Sequence, residues 1–541
     1  MRLQIGFFTI LVASGVLAEP ADTVLMHGEV YTVNDVQPWA EALAIEDGRI
    51  VFVGADADVQ SYIGPDTRVI NLQGRMAMPG IHDAHQHLMY GGMAGIGCPV
   101  PLGPRGDAFV TALQEKLREC RASLEDGEWL VARGFFAEQF PDGVPHRKYL
   151  DEVFPDYPVY LIERTHHNGL ANSKALELAG VDESTAAPEG GVITRNANGQ
   201  VTGELVEKAT ALVQNAIPPP TPSKYIRALR KGIEICHRHG ITSIQEAMTT
   251  EDVLVALKYL EDRGELHLNV TAHLVWGRKN EPEEVQEALI EQRSKYQSEH
   301  VDPNNIKITL DGTPTGPYFT QADLDPETGE PEWKYVLVPP EKLNEFVPRV
   351  DALGMKVKMH VAGKGAAHVA LDAIERARTL NPESTVRHEL AHTALVTASD
   401  MDRMRTLNVI GEVSPTQWQL REPFGNPPED PWEFRSLANE GVLLTMGTDW
   451  PVTRTPDFFE ALEGMLLFDD QSLDLLSAIR SMTWNGAVAI GREDDMGSLE
   501  AGKLANVIIL DQNLFAIDLT EISETRVLMT LFEGTVVYES Q

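Results

Sequence analysis

The sequence predicts an α/β fold, with parallel strand–helix units in the middle of the chain and β-rich segments at both ends. In the middle, short apolar strands alternate with amphipathic helical stretches, a rhythm typical of parallel βα units. Such units form either a closed barrel or a doubly wound sheet. No GxGxxG run follows a predicted strand, which disfavours a dinucleotide-binding sheet.

The two ends of the chain share a different, β-rich pattern. Residues 19–78 and 491–541 consist of short β-like runs separated by glycine-containing turns. We expect the two ends to pair into one small β-sandwich, which would bring the termini together. The central domain is then 79–490, which exceeds the roughly 250 residues of a plain eightfold barrel and so predicts an insertion. The Pro- and Gly-rich segment at about 95–220 is the best candidate.

The composition limits the function. The chain of 541 residues has 45 basic and 81 acidic side chains and a formal net charge of -36. Such a surface repels nucleic acid, so we expect a small-molecule substrate and no nucleic-acid partner. After residue 18 no continuous apolar stretch reaches the ~18 residues of a membrane span. The sequence is also compatible with a homodimer.

Residues 1–18 have the order of a secretory signal peptide. Arg2 gives a positive start, residues 5–17 are nearly all apolar, and Ala18 is a small residue at the predicted cleavage point. We therefore predict a periplasmic or secreted protein with no stable membrane span after cleavage. Three cysteines are too few for a disulfide framework, although one pair could form in an oxidising compartment.

His85 and His87 form a His-x-His pair at the end of an apolar run. Because strand side chains alternate with a period of two, both imidazoles would point to one side. Two converging neutral imidazoles suit zinc or another borderline divalent metal. The chain has 16 histidines, so the pair alone is equally compatible with a structural role.

Four further polar residues fall in or after predicted strands. His360 and His392 close two of these strands, and Asp449 follows a third. Lys307 lies inside an apolar strand, where a bare ammonium group is costly to desolvate. Catalytic groups of a βα barrel gather at the C-terminal ends of its strands, so all four could reach one site with the histidine pair.

These motifs resemble those of the amidohydrolase superfamily, and within it the amidohydrolase 3 branch of YtcJ-like proteins and N-substituted formamide deformylase. The resemblance covers nearly the whole chain after residue 18. The segments that carry it are 79–87, 172–176, 306–312, 447–452 and 497–506. The sequence departs from the branch at 313–320, where two prolines stiffen the predicted loop.

The resemblance implies a (β/α)8 TIM-type barrel with a small β-sandwich formed from both termini and an insertion after the first barrel strand. It also implies a site for two zinc ions, in which carbon dioxide carboxylates a lysine to a bridging anion. The implied metal ligands are His85, His87, Lys307 (the carboxylated lysine), His360, His392 and Asp449. As an alternative, Lys307 snorkels or pairs with a carboxylate, which leaves a site for one metal.

The implied reaction is hydrolysis of a C–N bond other than a peptide bond, in an N-acyl or N-formyl amide. A metal-bound water would attack the carbonyl carbon, with Asp449 as general base and then general acid. Cyclic amides, carbamates and esters are alternative substrates for the same hydroxide. Outside the enzymes, the alternative is a non-catalytic periplasmic binding or regulatory protein.

Three residues are weaker candidates for substrate binding. His167 lies in the predicted insertion, Arg435 opens a predicted helix, and Trp418 could line an apolar pocket. Each has a structural alternative: core packing or a surface position for His167, a salt bridge for Arg435 and core packing for Trp418. His237 and His239 are expected on the surface of a helix.

Overall fold

A computed structural model describes residues 19–163, 168–277, 282–313, 320–416 and 433–540. The chain divides into two compact units. One is Leu88–Gly232, and the other combines the parts of the chain before and after it.

Eight parallel strands of the larger unit form one sheet in chain order. They are β1 (Ile81–Gln86), β2 (Ile241–Thr249), β3 (Asn269–Trp276), β4 (Val301–Thr309), β5 (Lys356–His360), β6 (Glu389–Ala391), β7 (Ile410–Val413) and β8 (Leu444–Met446). Just after β8, Asp449 N–H donates to His85 O and His87 N–H donates to Trp450 O, both at 2.7 Å. These bonds join the last strand to the first, so the predicted (β/α)8 barrel is confirmed.

Helices follow the strands and bury an apolar stripe. Those of the barrel are Pro222–Arg238, Glu251–Glu261, Glu283–Gln292, Pro340–Ala352, Lys364–Leu380, Ala398–Thr406, Phe434–Glu440, Phe458–Leu466, Leu475–Ser481 and Trp484–Ala489. In Lys364–Leu380 the buried positions include Ala366, Ala370, Ala373 and Ala377, which share one face at helical spacing. The sequence pattern did not predict strand β7, which the structure contains.

The inside of the barrel carries buried charges where the usual barrel has apolar layers. Lys358 of β5 and Glu389 of β6 are fully buried and form an ion pair of 3.1 Å. Lys356 of β5 lies 3.5 Å from the other oxygen of the same carboxylate. A buried charge requires a partner of opposite charge, and one carboxylate here serves two lysines.

Both ends of the chain contribute to the β-sandwich. Its four-stranded sheet contains Arg49–Gly54, Ala42–Glu46, Thr23–Met26 and Arg68–Asn71. Its six-stranded sheet contains Thr535–Glu539, Val527–Phe532, Val507–Leu510, Met76–Pro79, Glu29–Tyr31 and Trp39–Ala40. Ile508 pairs with Met78 in antiparallel register, so the C-terminal segment adds directly to an N-terminal strand. The predicted pairing of the two ends is confirmed.

The unit Leu88–Gly232 follows β1, and the predicted insertion at about 95–220 lies within it. Its sheet has the order Gly191–Arg195, Val201–Glu207, Asn168–Ala171, Val159–Glu163, Leu130–Phe135, Cys98–Pro99. Its helices are Leu88–Gly95, Asp107–Arg121, Lys148–Asp151, Ser173–Leu178 and Thr210–Gln214. A disulfide joins Cys98 and Cys120.

The prediction for His237 is wrong. Its side chain is buried and its Nε2 bonds to His267 O at 2.7 Å. The reason is tertiary, because a sandwich strand covers this end of the helix and Thr530 Oγ1 donates to His237 O. His239 is partly exposed. Within the described ranges, no helix is both long and apolar enough to cross a bilayer.

Candidate metal centre

The six predicted ligands meet at the C-terminal end of the barrel. His85 Nε2 lies 3.2 Å from Lys307 Nζ and 3.7 Å from Asp449 Oδ1. His87 Nε2 lies 3.2 Å from the same oxygen of Asp449. The centroid of the His392 ring lies 4.5 Å from that of His85 and 4.6 Å from that of His360.

A β-bulge places the His-x-His pair. Between paired positions, β1 has Ala84 and His85 where β2 has only Gln245. Such a two-against-one bulge bends the strand and re-aims its side chains, and bulges are common at barrel rims next to active sites. His85 is almost completely buried, and His87 follows the strand end with its side chain 15% exposed.

Three of the four histidines have one ring nitrogen committed to a protein partner. His85 Nδ1–H donates to Glu412 Oε2 at 2.8 Å, and His360 Nε2–H donates to Gly312 O at 2.8 Å. His392 Nδ1 contacts Ser414 Oγ at 3.1 Å, and that hydroxyl donates to Glu412 Oε1. A serine has one proton to give, so its oxygen accepts from Nδ1–H of His392.

This pattern leaves a lone pair on His85 Nε2, His360 Nδ1 and His392 Nε2. Metal-binding histidines commonly donate their other N–H to a carboxylate, carbonyl or similar acceptor, which fixes the tautomer and the ring orientation. Lys307 Nζ contacts the first of these lone pairs at 3.2 Å. The donor set of imidazole nitrogens and a carboxylate therefore fits a zinc-like divalent ion.

Glu412 of β7 is the functional residue that the sequence prediction missed. It is fully buried, and its Oε2 accepts from His85 Nδ1–H and from the backbone N–H of His392 at 2.8 Å. One oxygen of Glu412 and one ring nitrogen each of His85 and His392 also lie within 4.8 Å of one another, so the three residues could hold a metal ion. Because both of its oxygens already accept hydrogen bonds, Glu412 is placed to orient two of the predicted ligands rather than to add one. Its signal was a single charge in the apolar run 409–413, as with Lys307.

Burial sets the protonation of the cluster. It lowers the pKa of His85 and His392 well below the usual histidine value, and that of His360 to about 4. Burial, with the nearby Lys358 ammonium, also lowers the pKa of Lys307 to about 7. For Asp449, burial raises the pKa, but the hydrogen bond from His87 and nearby positive charge, including that of Lys307, outweigh burial and lower the pKa.

Two of the predicted ligands have unusual backbone conformations. Asp449 has φ 54° and His392 has φ 69°, in the left-handed region that side chains other than glycine rarely adopt. Asp83 Oδ2 accepts from Thr448 Oγ1 at 2.6 Å and Asp83 Oδ1 accepts from Thr448 N–H at 3.0 Å, which holds the turn before Asp449. Burial raises the pKa of Asp83 to about 7.

Gly447 allows β8 to approach the cluster. A Cβ atom at this position would lie 2.6 Å from Glu412 Oε1 and 2.6 Å from His85 Cβ.

A second carboxylate secures the other side of the site, because Asp311 accepts from the backbone N–H groups of Ala322, Ala362 and Gly363. That arrangement joins the segments that follow β4 and β5.

Of the three weaker candidates, only Arg435 lies in the described residues, and it is not part of this cluster. Arg435 lies on helix Phe434–Glu440, and its guanidinium donates to Ser472 O at 2.9 Å and to Ser472 Oγ at 3.0 Å. Its role in substrate binding stays a prediction. His167 and Trp418 lie outside the described residues.

Comparisons with known proteins identify the family of this chain. Residues 68–538 match the sequence profile of the amidohydrolase family. N-substituted formamide deformylase of Arthrobacter pascens is 27% identical over 554 residues, covering 97% of this chain and 99% of that protein. Putative amidohydrolase YtcJ of Bacillus subtilis is 27% identical over 545 residues, covering 95% of this chain and 98% of that protein.

The fold has solved counterparts. The crystal structure of an uncharacterized metal-dependent hydrolase from Pyrococcus horikoshii superposes with a TM-score of 0.69 at 23% identity. The match covers 92% of this chain and 99% of that chain.

Proposed function

This chain belongs to the amidohydrolase family, and from that premise we propose that it hydrolyses the C–N bond of an N-acyl or N-formyl amide with divalent metal. The supporting observation is the arrangement of tautomers at the barrel end. Three buried imidazoles each commit one nitrogen to a protein acceptor. The remaining nitrogen of His85 contacts Lys307 and Asp449, and the His392 ring lies 4.5 Å from the ring of His85 and 4.6 Å from that of His360.

We propose that His85, His87 and Asp449 would hold one ion, that His360 and His392 would hold a second, and that Lys307 would be a further ligand. Zinc is the best match for this nitrogen-rich set, and a single ion is the alternative. When bound, the metal supplies Lewis acidity that makes water a nucleophile at neutral pH and polarises a carbonyl group. Asp449 takes the proton of the attacking water and returns it to the leaving nitrogen.

Lys307 is proposed to be carboxylated. Its cross-strand neighbour in register is Lys358, and two buried ammonium groups side by side repel each other. Addition of carbon dioxide to the amine gives a carbamate anion and a proton, so the pair becomes one anion beside one cation. The Lys307→Ala variant should lose metal uptake, and Lys334→Ala, at an exposed position, should not. Full metal uptake by Lys307→Ala would exclude a bridging carbamate.

The choice of a C–N bond is supported by the family and by a relative whose name states that it deformylates N-substituted formamides. Cyclic amides, carbamates and esters stay alternatives for the same site. A hydrolysis screen of the zinc-loaded protein across N-acyl and N-formyl amides, cyclic amides, carbamates and esters decides among them. Preferential turnover of formamides or N-acyl amides supports the proposal, and turnover of esters alone contradicts it.

Metal uptake tests the centre itself. After removal of metal with a chelator, the protein should take up about two equivalents of Zn²⁺. His360→Asn should take up less. The matched control is His27→Asn in the sandwich, where φ of 59° suits asparagine. Absence of zinc binding by the wild-type protein would overturn the proposed function.

We also propose that the protein is exported. The apolar start of the sequence supports this proposal, and the Cys98–Cys120 disulfide suits an oxidising compartment. Residues 1–18 lie outside the described residues. N-terminal sequencing of the mature protein should begin at Glu19, and an intact Met1 would contradict export.

A further inference from the structure

Lys358 lies on the inner side of β5 and reaches across the barrel. Its side chain is fully buried, and its Nζ donates a hydrogen bond to the backbone carbonyl of Ala84 on β1. The fifth and first strands are not neighbours in the sheet. The ammonium group therefore links two strands that share no backbone ladder.

The carbonyl that Lys358 reaches belongs to the β1 bulge. Ala84 and His85 together face the single residue Gln245 of β2, so the regular ladder is interrupted there. A buried carbonyl that lies at a break in the ladder needs a donor from elsewhere in the structure. Ala84 directly precedes His85, so the position of this carbonyl helps to fix the backbone from which the His85 imidazole extends.

Glu389 holds the lysine in this position. Its Oε1 lies 3.1 Å from Lys358 Nζ, and both side chains are fully buried. Lys356 shares the same carboxylate through Oε2, but its Nζ donates to Ala489 O in helix Trp484–Ala489. The two lysines therefore share a strand and a carboxylate and differ in the carbonyl that they reach.

We propose that Lys358 is a positioning residue for the metal centre, which fixes the bulge of β1 and thereby His85. Glu389 assists by holding the ammonium group. This role is distinct from that of Glu412, which contacts the imidazole of His85 and not its backbone. The inference rests on the proposed function, because it takes His85 as a metal ligand.

The test compares two matched single variants by Co²⁺ binding. Lys358→Met and Lys356→Met each remove one buried lysine and leave the Glu389 carboxylate paired with the other lysine, so neither leaves a lone buried anion. They differ in whether Ala84 or Ala489 loses its donor. Co²⁺ affinity, the visible spectrum of bound Co²⁺ and the thermal midpoint are measured for both and for the wild type.

We expect Lys358→Met to bind Co²⁺ about 10- to 100-fold more weakly, with a changed visible spectrum, as for the loss of other groups that orient metal ligands. Lys356→Met, which keeps Lys358 and Glu389, should keep the wild-type affinity and spectrum even with an equally lowered thermal midpoint. Equal weakening in both variants, or wild-type binding by the first, overturns the inference.

A further variant covers the case in which Lys358→Met does not fold. Lys358→Arg keeps the cation beside Glu389 but changes the donor geometry at Ala84. Weaker Co²⁺ binding by the folded Lys358→Arg protein supports the inference, and unchanged binding overturns it. The proposed function fails separately, if the wild-type protein itself binds no metal.

Discussion

One oxygen of Glu412 accepts hydrogen bonds from the Nδ1–H of His85 and from the backbone N–H of His392, both at 2.8 Å. Its other oxygen accepts from Ser414, which in turn contacts the His392 ring. One carboxylate thus sets the orientation of two proposed ligands, one on β1 and one just after β6.

Replacement of Glu412 by glutamine should weaken metal binding. The amide removes the charge and accepts through only one oxygen, so it cannot accept both from the two histidine N–H groups and from the Ser414 hydroxyl that contacts the His392 ring. We expect Zn²⁺ affinity to fall about 10- to 100-fold, measured by competition with a chelator. Glu440→Gln, at an exposed helix position, is the control. Equal affinity in the two variants would show that Glu412 does not orient the ligands.

Gly447→Ala should disrupt the centre by crowding. The added Cβ would meet Glu412 Oε1 and His85 Cβ at 2.6 Å, and neither can move without breaking contacts of the site. We expect a loss of about 1–3 kcal/mol in unfolding free energy together with weaker Zn²⁺ binding. At Gly411 the nearest atoms are side-chain carbons at 3.3 Å or more. Gly411→Ala should therefore affect metal binding much less, and a similar loss in both would refute the crowding argument.

His300 should make stability depend on pH. Its Nδ1 lies 2.9 Å from Glu261 and its Nε2 lies 3.3 Å from Glu533, so it joins the barrel to the sandwich. Burial opposes its charge, but these hydrogen bonds outweigh burial and raise the pKa from 6.5 to about 9. A raised pKa means that the folded state holds the proton more tightly than the unfolded state. The stabilisation is therefore complete below pH 6.5 and lost as the pH rises through about 9.

The variant His300→Gln tests that dependence. Wild-type protein should exceed it in unfolding free energy by about 1–2 kcal/mol below the lower pKa, and the difference should vanish above the higher one. Denaturant unfolding of both proteins across this pH range provides the measurement. A difference that stays constant with pH would contradict a protonated bridge.

The disulfide should stabilise the unit Leu88–Gly232. Cys98 and Cys120 are 22 residues apart, and closing a loop of this length contributes about 3 kcal/mol by restricting the unfolded chain. Cys98→Ser/Cys120→Ser should unfold at lower denaturant concentration and should not respond to a reductant. The buried free thiol Cys236 provides the control. Cys236→Ser should retain the wild-type response to reductant, and no response in the wild type would contradict the prediction.

The sequence alone determined the class of fold and most of the proposed ligands. Apolar runs at a regular spacing predicted the strand–helix units, because burial on both faces makes such strands apolar. Lys307 was recognisable for the same reason, since a single cation in an apolar strand is costly. The positions of His85, His87, His360, His392 and Asp449 at strand ends made them candidates, and the family resemblance implied that they are metal ligands.

Only the tertiary structure showed the roles of Glu412 and Lys358 at the proposed metal centre. Glu412 lies on β7, which is four residues long and has too weak a pattern to predict. Lys358 was visible in an apolar strand, but its partner Ala84 lies 274 positions away and contributes only a backbone carbonyl. No residue type marks such a partner. The local sequence also does not show where a β-bulge occurs or which ring nitrogen of a histidine carries the proton. Both arise when closure of the barrel brings distant strands together, which is why the chain alone indicates the ligands and only the folded barrel shows what orients them.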